Sequence, residues 1–257
     1  MKVAVLEHST RNIGDDIQSL ALEQVLPRVD LRVDRDHLGP AADWGDDVAW
    51  ILNGWFAPNT HSIWPPPGNA RKLFLGFHAV HEETLPRIPL DRPIGCRDPW
   101  TLTLCNQAGI DAWLSWCVTL TLRRPDVVRN DAVVLCDVPE RDVAQLPAEF
   151  ANGVRVTHLI PRDGSRRGRA LELLNLYAGA RWVVTSRLHA MLPCVAFGTP
   201  VVFLPPARSE NRTFGYLHLP WRIENAPWDD PRPRVTAEDV GHLAQPIHNE
   251  IRRFITP

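Results

Sequence analysis

The chain has 257 residues, of which 44% are hydrophobic and 23% charged, with a formal net charge of -2. That is enough apolar material for one large domain or two of ordinary size, and the near-neutral balance argues against a dedicated nucleic-acid binder with a broad basic field. The start, Met1-Lys-Val-Ala-Val-Leu-Glu7, turns charged too soon for a secretory leader, and no apolar run is long enough to make a transmembrane segment.

In chain order, Lys2–Glu7 reads as a short strand, and Asn12–Leu26 has helical spacing through Ile17, Leu20, Leu22 and Leu26. Leu31–Asp34, Val48–Leu52, Lys72–Phe77 and Pro93–Cys96 read as further strands. Pro99–Ala108 is a predicted helix with Asp98 as its N-cap, Pro99 at the first position and Gly109 as its stop. Ala112–Leu122 begins as a strand, and the polar, basic stretch Arg123–Asp131 follows as the candidate boundary between halves 1–124 and 125–257. Ala132–Cys136 and Val154–Ile160 restart the strands, Ser165–Ala178 is an amphipathic helix with a basic start, and Thr236–Phe254 closes the chain as a helix. Two successive strand–helix series predict an α/β protein built from a pair of Rossmann-like halves.

Five cysteines (Cys96, Cys105, Cys117, Cys136 and Cys194) form no CxxC pair, which sets aside zinc and disulfide scaffolds and predicts reduced, mostly buried thiols in a cytoplasmic protein. Trp50, Trp113 and Trp182 lie in strand-like runs and are expected in the core, whereas Trp55, Trp64 and Trp116 sit near polar breaks, where pockets form. The Pro- and Trp-rich loops are candidates for packing within one chain or against a second copy, as in a homo-oligomer.

Polar residues gather where strands give way to helices, which in parallel sheets is where ligands bind. The segment Arg181–Leu204 reads as a buried strand, a polar break, a short helix, a Gly-Thr-Pro turn and a second buried strand. Arg187 and His189 stand where the first strand gives way to the helix, pointing to anion capture with proton transfer, or else to a capping arginine and a core histidine. Asn12, Gly14, Asp15, Asp16 and Gln18 follow the first strand; the acids suit a helix start, and the set suits a sugar or a base. Asn53 and Gly54 end the third strand, with Trp55 beside them, and His78 ends the fourth. Arg97 follows the fifth strand and matches the geometry of a carboxylate or phosphate, while Asp98 caps or pairs with it. Neither GxGxxG nor GxxxxGK[ST] occurs, so dinucleotide and P-loop functions lack their signatures.

Taken in order, Asn12-Ile-Gly-Asp-Asp-Ile-Gln18, Asn53-Gly-Trp-Phe56, Gly95-Cys-Arg-Asp-Pro-Trp-Thr-Leu102, Asp111–Leu122 and Thr185-Ser-Arg-Leu-His189 resemble the polysaccharide pyruvyl transferase family from residue 1 to about 220. The resemblance implies a GT-B-like fold, two Rossmann-like halves with parallel sheets facing a central cleft. It implies a transferase of polysaccharide or exopolysaccharide biosynthesis that moves the enolpyruvyl unit of phosphoenolpyruvate onto sugar hydroxyls as a ketal, releasing phosphate. The acceptor would be a glycan or lipid-linked sugar, with no cofactor and no metal. His189 would be the acid/base and Asp16 would orient or deprotonate the acceptor. Arg97, Arg187 and Arg212, with Arg208 as its rival, would hold the donor. A GT-B glycosyltransferase using a nucleotide sugar, and a non-catalytic glycan- or anion-binding relative, are the competing readings.

Overall fold

The structure, a computed structural model, describes residues 1–56, 66–86, 88–160, 165–206 and 213–256. The chain divides into two compact units, the first formed by Met1–Ser9, Gln18–Thr121 and Leu243–Pro257, the second by Thr10–Ile17 and Leu122–His242. Each is built on its own wholly parallel sheet, so the α/β class with two Rossmann-like units is what this sequence adopts.

The first sheet contains β1 (Lys2–Glu7), β2 (Leu31–Asp34), β3 (Val48–Phe56), β4 (Arg71–Ala79), β5 (Ile94–Cys96) and β6 (Ala112–Leu114), in the order β2-β1-β3-β4-β5-β6. Its central strands are buried along almost their whole length, as expected when helices cover both faces of a parallel sheet. Trp50, Leu52, Phe74 and Phe77 lead its core. Strand order reverses between β1 and β3, which makes the carboxyl ends of those strands the natural place for a ligand. Helices α1 (Gly14–Val25) and α2 (Pro99–Gln107) follow β1 and β5. Asp98 caps α2 as expected, accepting a hydrogen bond from Thr101 N at 2.9 Å, and Gly109 ends it at φ 69°.

The second sheet contains β7 (Val133–Cys136), β8 (Val154–Val156), β9 (Trp182–Thr185) and β10 (Val201–Phe203), in the order β10-β9-β7-β8. Here the order reverses between β7 and β9. Two single-turn helices, α3 (Glu140–Val143) and α4 (Ala148–Ala151), lead from β7 to β8. Helix α5 (Arg166–Gly179) precedes β9, and α6 (Leu188–Phe197) joins β9 to β10. Trp182, Phe150, Val184 and Val202 are central to this core. The closing helix α7 spans Ala237–Ile255.

Several boundaries differ from the sequence expectation, each for a local reason. The third strand does not stop at Leu52: it runs to Phe56 because Gly54, at φ 97°, absorbs a bulge that shifts its register against β4. The fourth continues through His78 to Ala79, past a similar shift near Gly76 at φ 66°. The run from Ala112 is strand only to Leu114; Trp116 turns the chain at φ 63°, and Val118–Thr121 is a 3-10 turn. Val154–Ile160 is strand only to Val156, because the Asp137 carboxylate takes the His158 N–H at 3.0 Å and draws the chain out of the sheet. Trp50 and Trp182 are fully buried, but Trp113, on the edge strand β6, is only half-buried. All five cysteines are free and buried.

Candidate functional site

Two groups of polar residues stand at strand carboxyl ends, one in each unit. In the second unit the group is built on the reversal between β7 and β9. Asp137 follows β7 directly and takes φ 50°, a left-handed conformation that aspartate tolerates better than most residues. Its Oδ2 accepts the His158 N–H and, at 2.7 Å, the Nε–H of Arg187; its carbonyl accepts the Ser186 hydroxyl at 2.6 Å. Burial alone would raise this carboxyl, but hydrogen bonds from Thr157 and the His158 amide, with the charge of Arg187, outweigh it and hold the pKa below the ordinary value.

Arg187 lies between β9 and α6, its N–H bonded to Thr185 Oγ1 at 2.9 Å. Its side chain is 34% exposed, and its two terminal nitrogens have no partner among the described residues. His189 is the second residue of α6 and half-buried. Gly14 comes against it: a Cβ at Gly14 would lie 3.1 Å from His189 Nδ1 and Cβ and 3.2 Å from Asn12 Oδ1. Asn12 Oδ1 accepts the Gly14 N–H at 3.1 Å, which closes the turn into α1.

Asp15 and Asp16 occupy the first turn of α1, as expected. Asp15 is buried, with the Thr10 hydroxyl 3.2 Å from its carboxylate. Asp16 is gripped at both oxygens by Arg166, the first residue of α5, which also bonds the carbonyls of Thr10 and Asn12. Burial raises the Asp16 carboxyl, and Arg166 offsets only part of that effect.

In the first unit the group follows β4, β5 and β6. Arg97 is 2% exposed, with its Nε 3.6 Å from Asp98 Oδ2. Asp98 is fully buried; His78 Nδ1 is 2.7 Å from its Oδ2, and the Thr101 hydroxyl donates to its Oδ1 at 2.9 Å. Burial would raise Asp98, but His78, Arg97 and the Thr101 N–H together bring it below the ordinary value. Burial also raises the Cys117 thiol, with the Arg97 charge pulling the other way. Gln18 is wholly buried, its amide about a methyl's distance from Gly54. Asn53 is wholly buried too, and neither end of its amide has a hydrogen-bond partner among the described residues. Trp55 is half-buried, under the guanidinium of Arg35 at 5.7 Å.

The structure thus brings Asn12, Gly14 and His189 together, gathers His78 with Arg97, and sets Gln18 beside Gly54. Arg208, Arg212 and Trp64 lie outside the described residues. Among the described residues no cluster of histidine, cysteine and carboxylate side chains is suited to a metal, and no helix is long and apolar enough to cross a membrane. Asp137, Arg166 and His158 are the residues sequence reasoning passed over. Asp137 carries a visible signal, a lone acid directly after an apolar strand, whereas Arg166 meets an acid 150 positions away.

Comparison with known proteins agrees with the resemblance over part of its span. The polysaccharide pyruvyl transferase family model matches residues 89–208, which include Arg97, Arg187 and His189 but not the Asn12–Gln18 or Asn53–Phe56 segments. No curated protein matches the chain. Among solved structures, a protein of Klebsiella pneumoniae subsp. pneumoniae NTUH-K2044 superposes with a TM-score of 0.57 at 12% identity, covering 91% of this chain and 92% of its own. That likeness is one of fold. The E. coli ADP-heptose LPS heptosyltransferase II gives a TM-score of 0.36 at 12% identity over 98% and 100% of the two chains. The wall teichoic acid polymerase TagF gives 0.41 at 11% identity over 100% and 90%.

Proposed function

We propose that the protein transfers the enolpyruvyl unit of phosphoenolpyruvate to a pair of sugar hydroxyls on a glycan or lipid-linked acceptor, forming a pyruvate ketal and releasing phosphate. The observation that carries this reading is the pairing of Arg187 and His189 at the start of α6, inside the segment that matches the transferase family. Arg187 offers two terminal nitrogens to an anion, and the start of α6 adds the positive end of a helix dipole.

The chemistry needs those parts. One acceptor hydroxyl adds to C2 of the donor while C3 gains a proton and becomes a methyl group. The second hydroxyl then replaces the phosphate at C2, and the departing anion keeps the bridging oxygen. One hydroxyl proton is accounted for on C3, and the other leaves with phosphate or solvent. Imidazole both gives and takes protons near neutral pH, so His189 is assigned to these transfers. Arg187 and Arg97 are assigned to the anionic donor, where arginine stabilises departing phosphate without a metal; Arg208 and Arg212 stay as candidates for the same task. Asp16, with both oxygens on Arg166, is assigned to ordering the turn that holds Asn12 and Gly14 against His189. Asn53, Gln18 and His78 are assigned to the acceptor.

The test is phosphorus and proton NMR of the protein with phosphoenolpyruvate and candidate glycans. Inorganic phosphate appearing only with acceptor, together with a new ketal methyl resonance, is the expected result. Release of a nucleoside diphosphate from a nucleotide sugar instead would overturn it, as would tight donor binding with no product.

A further inference from the structure

The second unit contains two buried-edge arginine–aspartate pairs that differ in what they leave over. Arg166 spends its whole guanidinium: Nε and one terminal nitrogen go to Asp16, and the terminal nitrogens also bond the carbonyls of Thr10 and Asn12. Such a group is a structural tie. Arg187 spends only Nε, on Asp137 at 2.7 Å, and both terminal nitrogens remain without a partner among the described residues. The acid that holds it is itself held. Asp137 receives the His158 amide, its carbonyl takes the Ser186 hydroxyl, and its backbone sits at φ 50°. Only one other described non-glycine residue has positive φ, so the fold maintains a conformation costing about 1–2 kcal/mol at this point.

We infer that Asp137 is a positioning residue, which fixes the guanidinium of Arg187 through Nε and so presents its two terminal nitrogens to a carboxylate or phosphate of the donor. The inference rests on the reading of Arg187 as a donor-binding group. The single-point contact matters because an arginine side chain is rotamer-rich, and a guanidinium anchored at Nε keeps a defined plane for two-point recognition of an anion. Serine 186 and threonine 185 complete the brace: their hydroxyls bond the carbonyls of Asp137 and Cys136, stitching the ends of β7 and β9 together.

Two variants separate the carboxylate from the strained backbone. Asp137→Asn tolerates the left-handed conformation and keeps an oxygen for the His158 amide, but loses the charge on Arg187. Asp137→Gly relieves the backbone and removes the side chain altogether. For both, kcat with phosphoenolpyruvate should fall by about 10- to 100-fold, as misplacement of a reacting group does, while KM moves less than kcat because the lost negative charge offsets the looser hold. Nitrogen-15 NMR provides a readout apart from activity. The Arg187 Nε–H, identified by its loss in Arg187→Lys, should be protected from exchange in the wild type, less protected in Asp137→Asn, whose neutral amide oxygen is a weaker acceptor than the carboxylate, and unprotected in Asp137→Gly. Wild-type kcat in both variants, or an Nε–H that stays fully protected in Asp137→Gly, would overturn the inference. Protection lost as expected in a protein that never turns over phosphoenolpyruvate would instead leave the brace standing and overturn the donor reading.

Discussion

Gly14 and His189 meet at a distance that a methyl group would make tighter than ordinary van der Waals contact. A Cβ on Gly14 would stand 3.1 Å from both Nδ1 and Cβ of the histidine, so the ring is seated against bare backbone at the start of α1. Gly14 is not in the left-handed region, and alanine is a better helix former than glycine. Gly14→Ala should therefore leave the melting temperature unchanged or raise it, while moving His189 by a few tenths of an ångström and lowering kcat about tenfold or more. A Tm loss accompanying full activity would show that the glycine serves packing and not the histidine.

Asn53 sets stability against binding in the same way. A wholly buried amide with neither end hydrogen-bonded among the described residues costs roughly 1–3 kcal/mol for each group left unsatisfied. Leucine has nearly the shape of asparagine and no polar atoms. Asn53→Leu should raise Tm by about 2–4 °C for each kcal/mol recovered, and should raise the KM for the glycan with little change in the KM for phosphoenolpyruvate. Thermal melts and steady-state kinetics on one preparation decide it: a lower Tm with unchanged acceptor KM assigns the residue to the fold alone.

Asp16 and Arg166 should behave as one unit. Removing either leaves its partner's charge at a partly buried site, a more costly state than removing both. Asp16→Ala and Arg166→Ala should each destabilise the protein, and the double variant should lose less than their sum by about 0.5–3 kcal/mol. Urea melts of the four proteins measure this coupling, and simple additivity would show the contact to be idle in solution.

How far the sequence discloses this arrangement depends on the range of the interactions. Strand-end chemistry is local: an apolar run followed by Arg97-Asp98 or by Arg187 is readable because the strand, the break and the cap are contiguous, and Asp98 indeed caps α2. The bulges at Gly54 and Gly76 escape such reading because a glycine that prolongs a strand looks like one that ends it until the neighbouring strand fixes the register. Asp16 looks like an available base from its own segment. Its engagement by Arg166, and the contact of Gly14 with His189, are made across 150 and 175 positions. No spacing rule reaches that far. Asp137 was legible as an acid at a strand end, but its significance lies in the φ and the partners that the fold imposes.

His158 gives the acid side of the stability profile a source that can be isolated. It is 1% exposed, its Nε2 is 2.9 Å from the Tyr177 hydroxyl, and burial lowers its pKa to about 4. Asp137 and Asp15 favour its charged form, and Arg187 and Arg169 oppose it, but burial dominates. The unfolded chain has an ordinary histidine near 6.5, so between pH 6.5 and about 4 it binds a proton that the folded chain refuses. Stability from this group is complete above pH 6.5 and is lost as the pH falls towards 4, by about 3 kcal/mol at full extent. Asp98 and Asp137, whose folded pKa values are lowered, withdraw their contributions below the ordinary carboxylate value, so the two windows separate. His158→Gln keeps a partner for Tyr177 and removes the titration. Its unfolding free energy, followed by urea melts from pH 7 to pH 4, should decline less steeply than the wild type's, and parallel curves would place the acid lability elsewhere.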